Sequence, residues 1–185
     1  CITFETKAEQ KEQPKMGGTL VFALGKEPGN PNPFVGTSST TQFVKETCYE
    51  SLLTRDYEER IVPSLAASYE ISAAGSAITL RLRKGVKFHN GKEMKADDVL
   101  WSANHVRDPK NGAFGQNLTK DVNSVDKLDD YTVKFTLSHP SATFLSYLSN
   151  IRMLPIVPAN SLQPGQIKLE ANTFVPGTGP FLFEK

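Results

Sequence analysis

No apolar run in this chain approaches the roughly 18 residues that a membrane-spanning helix requires, so the body of the sequence is read as an aqueous globular unit. Charge of one sign is also missing: 21 Lys and Arg stand against 20 Asp and Glu, a formal net charge of +1. That balance removes the basic surplus on which nucleic-acid binding depends, and no nucleic-acid partner is expected. Two cysteines cannot build a disulfide scaffold. Only three histidines occur, His89, His105 and His139, and no two share the i, i+4 spacing of a helical metal site. There is no Gly-x-Ser-x-Gly elbow for a nucleophile. No glycine loop opening a helix for phosphates occurs either, since Gly17-Gly18 precedes an expected strand. These absences argue against an enzyme and against a resident metal or cofactor. Internal repeats and low-complexity tracts are absent as well.

Proline (12) and glycine (13) are frequent, which suits a strand-rich fold with many turns and long connections. Hydrophobic spacing predicts strands over 18–25, 67–72, 77–83, 86–88, 121–128 and 131–138, and helices over 40–53, 97–107 and 142–150. The segment from Met153 to Pro158 is expected to be extended, because its prolines forbid a helix. Tyr131, Val133, Phe135 and Leu137 alternate with Thr132, Lys134 and Thr136, the signature of a half-buried strand. Asp129-Asp130 reads as the turn before it. Cys48, spaced four residues from both Val44 and Leu52, reads as a small core residue. Trp101, beside Val99 and Ala103, reads as packing.

The densest signal runs from Ile78 to Asp108. Ile78, Leu80 and Leu82 alternate with Thr79, Arg81 and Arg83 as a strand with one buried face. Gly85 breaks that pattern, Val86 and Phe88 resume it, and Asn90-Gly91 supplies a turn dipeptide tolerant of positive φ. Asp97 and Asp98 then fall in the first turn of a helix, at the positive end of its macrodipole.

Read as Leu82-Arg83-Lys84-Gly85-Val86-Lys87-Phe88-His89-Asn90-Gly91 followed by Lys95-Ala96-Asp97-Asp98-Val99, this stretch resembles the signature of the family 5 extracellular solute-binding proteins. Those are the dipeptide, oligopeptide and nickel receptors of ABC importers. Asn90 replaces the usual Asp, which preserves the turn. Lys95 replaces a capping Thr, a loss of about 0.5–2 kcal/mol unless another group caps the helix. Further segments match in order: Gly17–Leu24 as the opening strand, Asn32-Pro33 in place of Asp-Pro, Tyr49-Glu50-Ser51-Leu52, Pro63-Ser64-Leu65-Ala66, Asp130–Leu137, and Gly177-Thr178-Gly179-Pro180.

The resemblance implies a mixed α/β fold of the type II periplasmic-binding class, containing part of the first lobe and the lateral subdomain, with the second lobe absent from these 185 residues. The expected division is a disordered tether over 1–16, the first part of the sheet-bearing lobe over 17–45, the lateral subdomain over 46–175, and a return to the sheet-bearing lobe over 176–185. It further implies capture of a peptide or similar small solute between two lobes for delivery to a membrane permease. In peptide receptors of the family the segment matching Glu27, Pro28 and Gly29 lines the cleft. The loop Glu27–Phe34, rich in Pro, Gly and Asn, is stiff and expected to leave backbone polar groups unpaired for a ligand. The alternative is a truncated structural or interaction domain that binds no solute.

Cys1 precedes a polar stretch, Lys7 to Lys15, that buries too little apolar surface to offset its ordering entropy. This pattern is expected of a processed lipoprotein, with Cys1 carrying the lipid and the protein held extracytoplasmically, in the periplasm or at the cell surface. The alternative is a chain boundary that happens to fall on Cys. A Cys1–Cys48 disulfide is not indicated.

Overall fold

A computed structural model describes residues 17–19, 21–26, 29–36, 38–169 and 173–182. Cys1, Glu27 and Pro28, and the whole of the expected 1–16 tether, lie outside them.

Four antiparallel strands form the main sheet: β3 (Ala66–Ile71), β4 (Ala77–Leu82), β5 (Val122–Asp129) and β6 (Thr132–Leu137), in the spatial order β3-β4-β6-β5. β1 (Leu53–Arg55) and β2 (Ile61–Pro63) make a separate two-stranded hairpin. Period-2 patterning sets the register. Ile78 pairs with Phe135 and Leu80 with Val133, so all four project from one face and are buried there. Helix α2 (Ala96–Arg107) lies against that face through Val99, Ala103 and Val106, all buried at the helical repeat. The short helix α3 (Phe144–Leu148) adds Phe144 and Leu148, and the extended stretch behind it adds Leu154, Ile156 and Val157. Phe144 meets Phe135 at 5.7 Å between ring centroids.

The missing Thr at the start of α2 is compensated from within the helix. Asp98, completely buried, accepts the Lys95 backbone N–H at 2.9 Å, the reciprocal half of a capping box. Its other oxygen accepts from Lys92 Nζ at 2.6 Å and from the Ala159 N–H at 2.8 Å. One carboxylate therefore joins the Asn90-Gly91 turn, the helix start and the chain returning after α3. Gly91, with φ of 82°, makes that turn as expected.

Several expectations fail for physical reasons. Helix α1 (Ser39–Cys48) stops five residues short of 53, because the Cys48 carbonyl accepts the N–H of Gly179 at 3.0 Å instead of continuing the helical ladder. Tyr49 is then extended, and its hydroxyl donates to the Val175 carbonyl at 2.8 Å. No strand occupies the described part of 18–25: no hydrogen-bonded neighbour lies beside it among the described residues, and a strand exists only by pairing. Val21 and Phe22 are instead exposed, with Phe22 stacked on Phe43 at 5.0 Å. The 86–88 strand reduces to one bridge, Lys87 to Glu93. The 53–63 hairpin and the short 3-10 helices Pro109–Asn111 and Phe114–Thr119 were not expected.

Three substitutions test this arrangement. Phe135→Ala should cost about 3–5 kcal/mol in urea unfolding, while Thr136→Ala, on the opposite face, should cost under about 1 kcal/mol; equal shifts would mean the register is displaced by one residue. Asp98→Ala should cost roughly 2–4 kcal/mol, from cap loss and two N–H groups left without their acceptor; a change below about 0.5 kcal/mol would show that the carboxylate does not join these segments.

Candidate functional site

Helix α1 is capped by Ser38, whose hydroxyl accepts the Thr41 N–H, and it presents Gln42, Glu46 and, just past its end, Tyr49 on one flank. Opposite that flank the chain leaving α3 runs through Asn150, Ile151, Arg152 and Met153. Between them, closed at one end by Thr54 and Arg55 of β1, lies a cavity of about 720 Å³. Its walls carry both signs of charge. Glu46 and Glu50 line it together with Arg55 and Arg152, and hydroxyls come from Ser51, Ser146 and Ser149. Arg55 is already engaged, donating to the Glu59 carbonyl and carboxylate at 3.2 and 3.4 Å and to the Ser146 hydroxyl at 3.2 Å. Arg152 lies over the Phe114 ring, 5.0 Å from its centroid. Such a cavity suits a small polar solute held by several hydrogen bonds rather than an apolar one.

The Gly- and Pro-rich loop behaves differently from expectation in its described part. Asn32 is fully buried, and its amide donates to the carbonyls of Gln166 at 2.9 Å and Ile167 at 3.2 Å while its Oδ1 accepts the Phe34 N–H. Asn30 donates to the Ile167 carbonyl at 2.7 Å. The Phe34 carbonyl accepts from Phe114 N–H, and Gly29 N–H donates to Thr41 Oγ1 at 3.0 Å. These polar groups are therefore spent on fixing the loop against α1 and the 166–167 segment. Of the expected ligand residues Glu27, Pro28 and Gly29, only Gly29 is described, and it sits against α1.

Lys45 was not singled out from the sequence, yet it is the most unusual charge in the fold. It is 5% exposed, and its ammonium donates to the carbonyls of Val35 and, at 3.3 Å, Gly36. Burial, and secondarily the Arg152 charge, push its pKa down to about 8. Burial likewise raises the Tyr49 phenol, which stays a neutral donor. The signal available in sequence was a Lys at i+3 from Gln42 and i+4 before Tyr49 on an otherwise inward flank.

His89 is placed by its backbone partners. Its Nδ1 accepts the Gly177 N–H at 3.2 Å, which leaves Nε2 to donate to the Gly179 carbonyl at 2.9 Å. His105 is stacked on Trp101 at 4.8 Å and close to Phe34, and burial lowers its pKa. Trp101 is thus partly packing, as expected. His139 pairs with Asp121 at the surface. Among the described residues no group of His, Cys, Asp and Glu could hold a metal, and no helix is long and apolar enough to cross a membrane.

Comparison with known proteins gives this architecture its relatives. Residues 60–185 match the bacterial extracellular solute-binding proteins, family 5 (middle part). The glutathione-binding protein GsiB of Pectobacterium atrosepticum is 32% identical over 163 residues, covering 88% of this chain and 31% of GsiB. Among solved structures, the binding protein AgaA of A. tumefaciens R10 with agropinic acid superposes with a TM-score of 0.76 at 32% identity, covering 86% of this chain and 32% of AgaA. NikZ of Campylobacter jejuni with Ni(L-His) gives a TM-score of 0.77 at 30% identity, covering 86% of this chain and 31% of NikZ. The chain thus spans about a third of the length of these relatives and carries a corresponding part of the type II periplasmic-binding fold. Members of the family are transport binding proteins rather than enzymes. On the match over residues 60–185, the chain belongs to the family 5 bacterial extracellular solute-binding proteins.

Proposed function

We propose that this chain is the part of an ABC-importer receptor that supplies one wall of the solute cleft, and that the complete receptor captures a peptide or similar small solute between two lobes and passes it to a membrane permease. The observation that carries this reading is the 720 Å³ cavity between α1 and the 150–153 segment, with carboxylates, guanidinium groups and hydroxyls converging on one space. A zwitterionic solute finds both signs of partner there. Domain closure would complete its enclosure without covalent chemistry. The relatives support the class: one is named for glutathione, others were solved with agropinic acid, a nonapeptide or a nickel–histidine complex.

The expected division into 17–45, 46–175 and 176–185 is kept as part of this proposal, as is cleft lining by Glu27, Pro28 and Gly29. The proposal also places the protein extracytoplasmically, tethered by residues 1–16 and anchored through a lipid on Cys1. Intact protein from membranes should then show an acyl mass on its N-terminal peptide, and an unmodified N-terminal peptide would remove the anchor from the account.

Binding is tested by calorimetric titration of the full-length receptor with di- to pentapeptides, glutathione and nickel–histidine. One class should bind. Arg152→Ala should weaken it about tenfold to a hundredfold, the loss of one charge-assisted hydrogen bond, whereas Arg81→Ala, on the exposed face of the sheet, should leave it unchanged. Absence of binding by every solute, or equal effects of the two variants, would refute the proposed wall.

A further inference from the structure

A second cavity, of about 270 Å³, lies at the C-terminal end of α2 and shares no lining residue with the one between α1 and residues 150–153. Trp101, Asn104, His105 and Asp108 line it from the last turns of α2 and its cap, and Asn160 and Gln163 line it from the chain beyond the extended stretch. Its frame is tied at two points. Asn111, 4% exposed, donates through Nδ2 to the His105 carbonyl at 2.9 Å, and its Oδ1 accepts the Gly165 N–H at 2.7 Å. At the other end of that segment the Ala159 N–H donates to Asp98 of α2.

The groups that build this frame are satisfied, whereas several that line the space are not. The side chains of Asn104, Asn160 and Gln163 make no hydrogen bond to the described residues, and neither does the Trp101 indole N–H. His105 is 7% exposed, and its Nε2 is buried without a hydrogen-bond partner among them. A buried polar atom left unpaired is costly and calls for a partner. The His105 ring packs on Phe34, at 4.6 Å between centroids, and on Trp101, at 4.8 Å and 23° between planes. That packing holds the indole in place.

Charge and hydrogen-bond type narrow the ligand. Among the described residues no Lys or Arg lines this cavity and Asp108 does, so an anion meets repulsion and finds no partner. A cation would meet the indole and Asp108 but leave the carboxamide and indole N–H groups without acceptors. A neutral ring with hydroxyls on its rim uses both kinds of group, because each hydroxyl donates and accepts as each carboxamide does, while the C–H face of the ring lies on the indole. The volume falls below the roughly 300 Å³ at which sites for drug-sized ligands begin, so the space takes one such ring rather than a peptide of several residues.

We propose that this cavity is a second small-molecule site, for a neutral polyhydroxylated ring of monosaccharide size. Trp101 is its stacking platform, and His105, Asn104, Asn160 and Gln163 are its hydrogen-bond partners.

Trp101 is the sole tryptophan of the chain, so its fluorescence reports on this cavity directly. The chain is titrated with D-glucose, D-galactose and N-acetyl-D-glucosamine, with glucuronate and choline as anionic and cationic controls. At least one neutral sugar should shift or quench the emission and saturate in the millimolar range, and it should move the imidazole 15N signals of His105. Glucuronate and choline should bind at least tenfold more weakly. Asn104→Ala and Gln163→Ala, at exposed positions whose side chains the fold does not use, should each weaken the sugar by about threefold to tenfold. Absence of a saturable response to every sugar, or equal affinity in wild type and both variants, overturns the proposal. So does binding of choline or glucuronate as tight as that of the best sugar, or an emission change that leaves the His105 nitrogens unmoved.

Discussion

The arrangement depends on how closely two backbones approach where residues 177–179 cross the end of helix α1. A Cβ on Gly177 would lie 2.0 Å from the Cys48 carbonyl oxygen, and one on Gly179 would lie 2.5 Å from the Cys48 carbonyl carbon. Only hydrogen fits at either position. That proximity lets the Cys48 carbonyl accept the Gly179 N–H, ends the helix, and turns Tyr49 inward to the Val175 carbonyl. His89 then fastens the same strap from the other side, with Nδ1 on Gly177 and Nε2 on Gly179, and its backbone N–H donates to the Gly177 carbonyl at 2.8 Å. The turn of the signature motif, the end of α1 and the departing chain are in this way one mechanical joint.

Everything at the cavity follows from where that joint leaves α1. With its C-terminal end pinned, the helix is tied at its start by the Ser38 cap and the Gly29–Thr41 bond, and along its side by Lys45 reaching the Val35 and Gly36 carbonyls. Asn30 and Asn32 fasten the preceding loop to residues 166 and 167. The α1 side of the cavity is therefore tied at both ends of the helix and along its flank. Preorganisation of this kind reduces the ordering cost of binding.

Much of the sheet and of α2 was legible because alternation and helical spacing survive in the sequence: Ile78, Leu80, Val133 and Phe135 sit where their period places them. The family signature was legible too, since Gly91 needs positive φ and Asp98 sits at the third residue of its helix. What escaped depends on contacts between residues far apart in sequence. The end of α1 is decided by Gly179, 131 positions away from Cys48, and no local propensity encodes that. The 53–63 hairpin is short, with three-residue strands carrying no readable period. At the site, the sequence pointed to the loop Glu27–Phe34 because Pro, Gly and Asn suggest unpaired backbone; Glu27 and Pro28 lie outside the described residues, and Gly29 and Asn32 bond to Thr41 and Gln166. Lys45 was passed over because a lysine on a helix is ordinarily solvated, and only the fold reveals that it is enclosed.

The central claim is that the wall formed by α1 and residues 150–153 holds the solute. A crystal structure of the full-length receptor grown with the solute that binds it tests this most directly. The account predicts solute density within hydrogen-bond reach of Arg152 and of Gln42 and Glu46. Solute density elsewhere, with water alone filling the 720 Å³ cavity, would contradict it.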